Sequence, residues 1–545
     1  MPPHRLVFLR LLWPDFLSIM AVTVATASSH VALNSDQAST ASHSTANLMP
    51  PARNKQSSRT SREVNPDNRL NDLDSQRWLT FQKSWFIMPR GQSLAATAAD
   101  FIAFFTKQFT APKQRARVGL LAENAASLQP VVSSLGRVAV ILPKLEPAAT
   151  SLALDYCLVD LSSIITSSAT DEGDLQHWQA RLALIANHLK TNAYLTVFVR
   201  NQDADGLLQP LAWLLGKALS QTLTMKDEKI GCVENESGST PPQTNWTTLQ
   251  NVIYCLNFRR EEYPPAAPSL PPVSVAPRYP LVAPRPLPLA PPRSSWMIVK
   301  PPPREKGVLL HPGKFPESLI ETFLQDFTVP GDRVFDPMAG TGSALLAALA
   351  LGREAYGIEL NPEFHRIAQE RMARYLPAIP GLLESPQWRL LCGDATEPES
   401  YRELPANFDY IITSPPYWDM LRMKGAETQQ KRKAAGLLQF YSDDSRDLGN
   451  LDEYSAFLAK LLELYRFLAA KLSTGRYLTI IVKNVKKRGL MYPLAWDLAL
   501  ALRNDLALCH EQLWCQNDQK LAPFGYRYAW VSNTFHHYCL HFRKP

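Results

Sequence analysis

From residue 317 onward the apolar positions follow two alternating rhythms. Short continuous runs at Arg333 to Asp336, Ala355 to Glu359, Arg389 to Cys392, Tyr410 to Thr413 and Tyr477 to Val482 read as buried strands. Between them, Glu317 to Asp326, Pro362 to Tyr375 and Leu451 to Leu472 carry apolar residues at helical spacing. Strands and helices taking turns predict an α/β fold, a mainly parallel sheet with helices on both faces. Ligands of such folds sit at the carboxyl ends of the strands.

Residues 264–303 contain fifteen prolines, which remove backbone donors and predict an extended, semi-rigid connector. The stretches on either side of it repeat one another. Ser84-Trp85-Phe86-Ile87 corresponds to Ser295-Trp296-Met297-Ile298, and Phe109-Thr110-Ala111-Pro112 to Phe327-Thr328-Val329-Pro330. Tyr194-Leu195-Thr196 through Pro210-Leu211-Ala212-Trp213 matches Tyr477-Leu478-Thr479 through Pro493-Leu494-Ala495-Trp496 without a gap. Tyr254-Cys255-Leu256-Asn257-Phe258-Arg259 matches Tyr538-Cys539-Leu540-His541-Phe542-Arg543. Ordered identities of this kind predict one fold written twice. The expected division is a disordered leader at 1–78, a first domain at 79–262, a proline-rich linker at 263–303 and a second domain at 304–545.

Composition changes this picture little. A length of 545 residues agrees with more than one domain, and a formal charge of +7 permits a nucleic-acid partner without demanding one. The seven cysteines form no CxxC pair and suit reduced, buried thiols of a cytoplasmic protein, with neither a disulfide framework nor a metal site. The opening stretch, with Arg5 and Arg10 before apolar residues, loosely imitates a secretory signal, but Pro14 and Asp15 interrupt it. A misplaced start or a disordered leader is the expectation, and no stretch is apolar for long enough to span a bilayer.

The chemistry gathers behind the strands of the second half. Val334-Phe335-Asp336-Pro337-Met338-Ala339-Gly340-Thr341-Gly342-Ser343 runs from a strand through a glycine-rich turn into an Ala/Leu helix. Gly340 and Gly342 let a ligand approach the backbone, and the helix start offers unpaired N–H groups. Glu359 ends the next strand, where an acid suits both hydroxyls of a ribose. Asp394 follows the third strand, placed to accept from an adenine amino group or simply to form a turn. The fourth strand ends in Thr413-Ser414-Pro415-Pro416-Tyr417-Trp418. Its two prolines fix the backbone so that Ser414 and the Pro415 carbonyl suit an exocyclic amine while Tyr417 stacks on a flat base.

Over residues 295–545 these motifs resemble the S-adenosylmethionine-dependent amino-methyltransferases that modify cytosine N4 or adenine N6 in DNA. The resemblance implies a Rossmann-like methyltransferase fold. A segment similar to His311-Pro312-Gly313-Lys314-Phe315-Pro316 helps to enclose the cofactor in that family, which assigns Lys314, Phe315 and Pro316 to it. Asp336, Pro337, Gly340 and Gly342 then hold its methionine part, Glu359 its ribose and Asp394 its adenine. Ser414, Pro415, Pro416 and Tyr417 correspond to the catalytic tetrapeptide. Serine at its first position, with Trp418 behind it, is more similar to the cytosine-N4 branch. The implied reaction is direct displacement at the methyl carbon, without a metal or a covalent enzyme intermediate. The order of cofactor loop before tetrapeptide also resembles amino-methyltransferases of tRNA guanine, which leaves RNA as the alternative substrate, and a non-catalytic nucleic-acid-binding scaffold is the third reading.

Basic residues near the turn are candidates for phosphate contact: Arg422 and Lys424 after Trp418, and Lys486, Lys487 and Arg488 past the strand that ends at Val482. Trp418 is a further candidate for contact with nucleic acid. In the first half, Leu120 stands opposite Asp336, Asn124 opposite Gly340 and Ala126 opposite Gly342, while Asp160-Leu161-Ser162-Ser163 stands opposite the tetrapeptide. The first half is therefore expected to keep the fold, bind no cofactor, and act as the partner of the second in an intramolecular pseudo-dimer.

Overall fold

The computed structural model describes residues 71–142, 151–165, 172–204, 206–234, 246–263, 292–300, 315–376, 387–418, 444–487, 489–517 and 532–545. Two large sheets form, one in each half. The second has eight strands in the order Trp296–Met297, Ala507–Cys515, His536–Arg543, Leu472–Val482, Phe408–Thr413, Arg333–Asp336, Glu354–Glu359, Trp388–Cys392. All its pairings are parallel except the two made by His536–Arg543. The first has seven strands in the same order: Trp85–Met88, Thr224–Val233, Val252–Arg259, Leu189–Val199, Leu154–Asp160, Arg117–Leu120, Val138–Ile141. Again only one strand, Val252–Arg259, runs against its neighbours. The eighth strand of the second sheet has no counterpart among the described residues of the first.

The Rossmann-like arrangement expected from the sequence is thus present, and the local reasons are visible. Helix Pro362–Tyr375 starts where Pro362 presets the first turn and the Asn361 side chain accepts from the Glu363 and Phe364 amides. Helix Glu317–Phe327 buries Leu319, Ile320, Phe323, Leu324 and Phe327 on one face. Helix Ser343–Ala350 is buried on every face from Ser343 to Leu349, which explains the Ala/Leu run behind Ser343. Two expected boundaries need correction. Residues 71–78, assigned to the leader, pack onto the first half, with Leu73 in its core and a helix at Ser75–Thr80. Trp296 and Met297, assigned to the linker, form the edge strand of the second sheet.

The halves share one apolar core through helices Leu211–Leu219 and Leu494–Leu502, whose Trp213 and Trp496 are fully buried. A Cβ on Gly216 would lie 2.6 Å from the Trp496 ring, so that glycine sets how closely the helices approach. Around this core the polar contacts are reciprocal. Asn201 Nδ2 donates to Glu511 Oε2 at 2.9 Å, and Asn484 Nδ2 donates to Glu228 Oε1 at 2.8 Å. Each asparagine also accepts an amide at the start of its own half's helix, from Ala212 and Ala495, both at 2.9 Å. Tyr254 donates to Glu511 and Tyr538 to Glu228. Cys232 and Cys515, at corresponding positions of the repeat, meet with sulfurs 3.8 Å apart. Every member is buried and hydrogen-bonded, the condition under which polar groups in a core specify a unique packing.

Candidate active site

The glycine turn, the two strand-end acids and the Pro-Pro turn converge on one open cleft. It is lined by Asp336, Pro337, Gly340, Glu359, Asp394, Ser414, Pro415 and Pro416, with Phe315 at its wall. Parallel order explains the convergence, because Arg333–Asp336, Glu354–Glu359, Trp388–Cys392 and Phe408–Thr413 all end on the same side of the sheet. Gly340 and Gly342 take φ values of +54° and +76°. A Cβ on Gly342 would sit 3.1 Å from Ala368 Cβ, so both backbone shape and space require glycine there.

Glu359 closes the turn as well as facing the cleft. Its Oε2 accepts the Gly340 amide at 2.7 Å and its Oε1 the Asn361 amide at 2.9 Å, leaving lone pairs on both oxygens for a ligand. Asp336 Oδ1 accepts the Met338 amide at 3.0 Å. Burial, with a smaller contribution from the Glu359 charge, pushes the Asp336 carboxyl up to about 7. Burial also raises Glu359, against the two amide hydrogen bonds that lower it. Asp394 accepts from the Thr396 amide and hydroxyl at 2.8 and 2.7 Å, so it forms the turn and lines the cleft at once.

The sequence reading missed residues that complete the cleft. Arg371, on helix Pro362–Tyr375, donates to the Thr341 and Ser343 hydroxyls at 3.2 and 3.3 Å and to Glu317 at 2.6 Å, bracing the glycine turn from behind. Arg446, Asp447 and Leu448 also line the cleft. They arrive from a segment far along the chain, and only their spacing from the turn residues in three dimensions marks them. Pro316 caps helix Glu317–Phe327, beside the cleft wall rather than in it. Lys314, Arg422, Lys424 and Arg488 lie outside the described residues.

S-adenosylmethionine is a cation at both its sulfonium and its ammonium, and the cleft suits it. Four carboxylates (Asp336, Glu359, Asp394, Asp447) face one arginine. The buried Thr413 hydroxyl in the cleft wall has no hydrogen-bond partner among the described residues, a vacancy a polar ligand would satisfy. Among the described residues no group of His, Cys, Asp and Glu has the geometry of a metal site, and no helix is long and apolar enough to cross a membrane.

Three expected roles do not match the observed positions. Tyr417, expected to offer its ring to a base, shares a hydrogen bond between its hydroxyl and His537 Nε2 at 2.8 Å and carries Lys483 Nζ 4.6 Å from its ring centroid. Of the tetrapeptide, Ser414, Pro415 and Pro416 line the cleft and Tyr417 does not. Trp418 is a core residue, 3% exposed, donating to the Leu451 carbonyl at 2.9 Å and packed on Tyr454 and Tyr492. Lys486 is paired with buried Asp227 of the first half and donates to the Ser532 carbonyl at 2.8 Å, so its charge is spent between the halves. Lys487 lies 4.2 Å from the Trp418 ring centroid.

Residues 171–370 match the family model for DNA methylases, a span that includes the glycine turn and Glu359 and ends before Ser414. A putative methylase of Escherichia coli K12, YubD, is 43% identical over 63 residues, 12% of this chain and 28% of its own length. The orphan methyltransferase M.BamHII of Bacillus amyloliquefaciens is 36% identical over 72 residues, 13% of this chain and 27% of its own. The DNA adenine methyltransferase YhdJ of E. coli K12 is 37% identical over 62 residues, 11% of this chain and 21% of its own. The chain thus spans about a quarter of the length of these relatives. Residues 171–370 are thus similar to DNA methylases, and short stretches of the chain are similar to DNA methyltransferases.

Proposed function

We propose that the second half methylates an exocyclic amino group of a base in DNA. The observation that carries this reading is the meeting of the Gly340 turn, Glu359 and Ser414-Pro415-Pro416 in one acidic cleft. When bound, S-adenosylmethionine supplies an electrophilic methyl group on sulfur. Asp336, Gly340 and Thr341 would border its amino-acid end, and Glu359 has lone pairs left for the ribose hydroxyls, while Gly342, whose amide donates to the Ala339 carbonyl, shapes the turn from outside the lining. Phe315 and Asp394 border the remaining part. Ser414 and the Pro415 carbonyl accept hydrogens from the amine and fix its lone pair toward the methyl group, which is catalysis by positioning and polarisation. The base leaves its stack to reach them.

The first half serves as a fold-alike partner without a cofactor. Asn124, at the position of Gly340, donates to the Asp160 carbonyl at 3.0 Å and accepts the Asp160 amide at 2.9 Å, so its side chain bridges the two strand ends where the second half is open. This supports an intramolecular pseudo-dimer in which one half does the chemistry.

Serine in the tetrapeptide favours cytosine N4, and the match to a DNA adenine methyltransferase keeps adenine N6 as the alternative. RNA is the second reading, supported by the order of glycine turn before tetrapeptide. The test is transfer from labelled cofactor to DNA and to total RNA by wild type, Ser414→Ala and Pro415→Ala, with nucleoside analysis of the product. Incorporation into DNA as N4-methylcytosine, lost in both variants, is expected. Confirmed cofactor binding without transfer to either polymer would overturn the reading.

A further inference from the structure

The partner role can be located. The segment 532–536, which leads into the last strand, is held from one side by the first half and from the other by Lys486 and Gln516 of the second. The Asn533 amide donates to the Gln82 carbonyl at 2.7 Å, and the Phe535 amide donates to Ser84 Oγ at 2.8 Å. Ser84 Oγ also meets His536 Nδ1 at 2.8 Å. Ser532 donates through its amide and hydroxyl to the two oxygens of Asp227, at 3.1 and 2.8 Å. The next residue is His537, buried, stacked on Trp514 at 4.6 Å and bonded to the Tyr417 hydroxyl.

Burial, with Lys483 beside it, pushes His537 well below its ordinary value, so the ring is neutral and can accept from Tyr417, whose own hydroxyl burial keeps protonated. Tyr417 directly follows the two prolines of the catalytic turn. Its hydroxyl is therefore the point at which the first half's grip reaches Ser414 and Pro415.

The internal comparison supports this. A reciprocal clasp exists on the other side, where the Leu249 amide donates to the Arg293 carbonyl at 2.9 Å and the Ser295 amide to Asn251 Oδ1 at 2.8 Å. Yet the residues corresponding to His537, Lys483 and Tyr417 are Ile253, Arg200 and Ser163. Both clasps are present, while the polar cluster occurs only where the clasp leads to a catalytic turn.

We propose that the first half positions the catalytic turn of the second by clasping residues 532–536, with His537 as the positioning residue that holds the Tyr417 hydroxyl. This rests on the methyl-transfer reading for its consequence in rate, but not for its geometry. In the full chain, Ser84→Ala and His537→Phe are expected to lower kcat on the order of tenfold, with cofactor affinity unchanged within about twofold. His537→Gln, which keeps an acceptor, recovers part of the loss. Ser84→Ala added to Tyr417→Phe costs nothing further, because both break the same link. Hydrogen exchange at 413–418 rises in Ser84→Ala while that at 333–345 does not. Unchanged kcat in both single variants, losses that multiply in the double variant, or unchanged exchange at 413–418 would each overturn the proposal. A wild type that binds cofactor and transfers nothing would sink the methyl-transfer reading, and the exchange measurement would still judge the clasp.

Discussion

Gly340 and Asn124 occupy the same place in two sheets of the same strand order, and they do opposite things. Gly340 has no side chain, and its amide is held by Glu359, so the space above the strand ends is open. Asn124 spans the equivalent gap with two hydrogen bonds to Asp160. Where the second half has a glycine turn before helix Ser343–Ala350, the first half begins helix Ala122–Ser134 at once, and Asn124 on it is a brace. The lesson is that the strand-end turn of this fold must be bound to something: a ligand where it stays open, the neighbouring strand where it does not.

The most direct way to break the comparison is Gly340→Asn. Asparagine tolerates the positive φ of this position, so the fold should survive. Its side chain would occupy the cleft that Gly340 lines, and cofactor affinity should fall on the order of a hundredfold or more. Calorimetry checks this, and an unchanged affinity would show that the brace is not what closes the first site.

A second effect concerns the contacts the halves share equally. Asn484→Ala removes a partner of buried Glu228 and leaves the Ala495 amide unpaired, and Asn201→Ala does the same to Glu511 and Ala212. Each should cost about 2–3 kcal/mol in denaturant unfolding. Nearly equal losses are expected, in contrast to the unequal sites, and a marked imbalance would mean that the reciprocal contacts are not energetically reciprocal.

Asp336 supplies a third. Its carboxyl, raised to about 7 by burial, holds a proton in the folded state that the unfolded chain releases near pH 4, so its contribution to stability falls as pH rises through that window. A cationic cofactor favours the carboxylate. Affinity should therefore strengthen with pH between 6 and 7, by up to about tenfold per unit, with a proton released on binding. Calorimetry in buffers of different ionisation enthalpy measures that proton, and Asp336→Asn should abolish the dependence. Leu120, opposite Asp336, offers no such titration.

The smallest expected effect is the reverse graft. Asn124→Gly in a Gly340→Asn background should restore no cofactor binding, because the first half also lacks an acid at Leu120 and a Pro-Pro turn at Asp160 to Ser163. Measurable binding by calorimetry would show that Asn124 alone closes that site.

Much of this was legible in the sequence, for local reasons. Strand Arg333–Asp336 and helix Pro362–Tyr375 occupy the expected residues, since an apolar run and an Asn-Pro cap are complete signals in themselves. Between helix Tyr454–Lys471 and strand Leu472–Val482 the residues Ser473-Thr474-Gly475 read as a break, yet the strand runs through them, so its expected start at Tyr477 falls late. The glycine turn, Glu359 and the Ser-Pro-Pro turn were recoverable because each follows its own strand. Trp418 and Lys486 were misread because their partners, Leu451 and Asp227, are distant in the chain, and an aromatic ring or a lysine near a catalytic turn carries no mark of being internal. Arg371 looked like one more charge on an amphipathic helix, and only the packing against Thr341 and Glu317 reveals its task.

The reciprocal asparagine and glutamate contacts have a consequence for any attempt to divide the molecule. Each half displays an asparagine donor and a glutamate acceptor in one layout, so its inner face is complementary to itself as well as to the other half. A second half cut free at the proline-rich segment would carry both Asn484 and Glu511, and a second copy would offer the Asn484 donor and the Glu511 acceptor the partners that water otherwise supplies. Severed fragments should therefore sediment as dimers, each reconstructing from like pieces the junction that the intact chain builds from unlike ones.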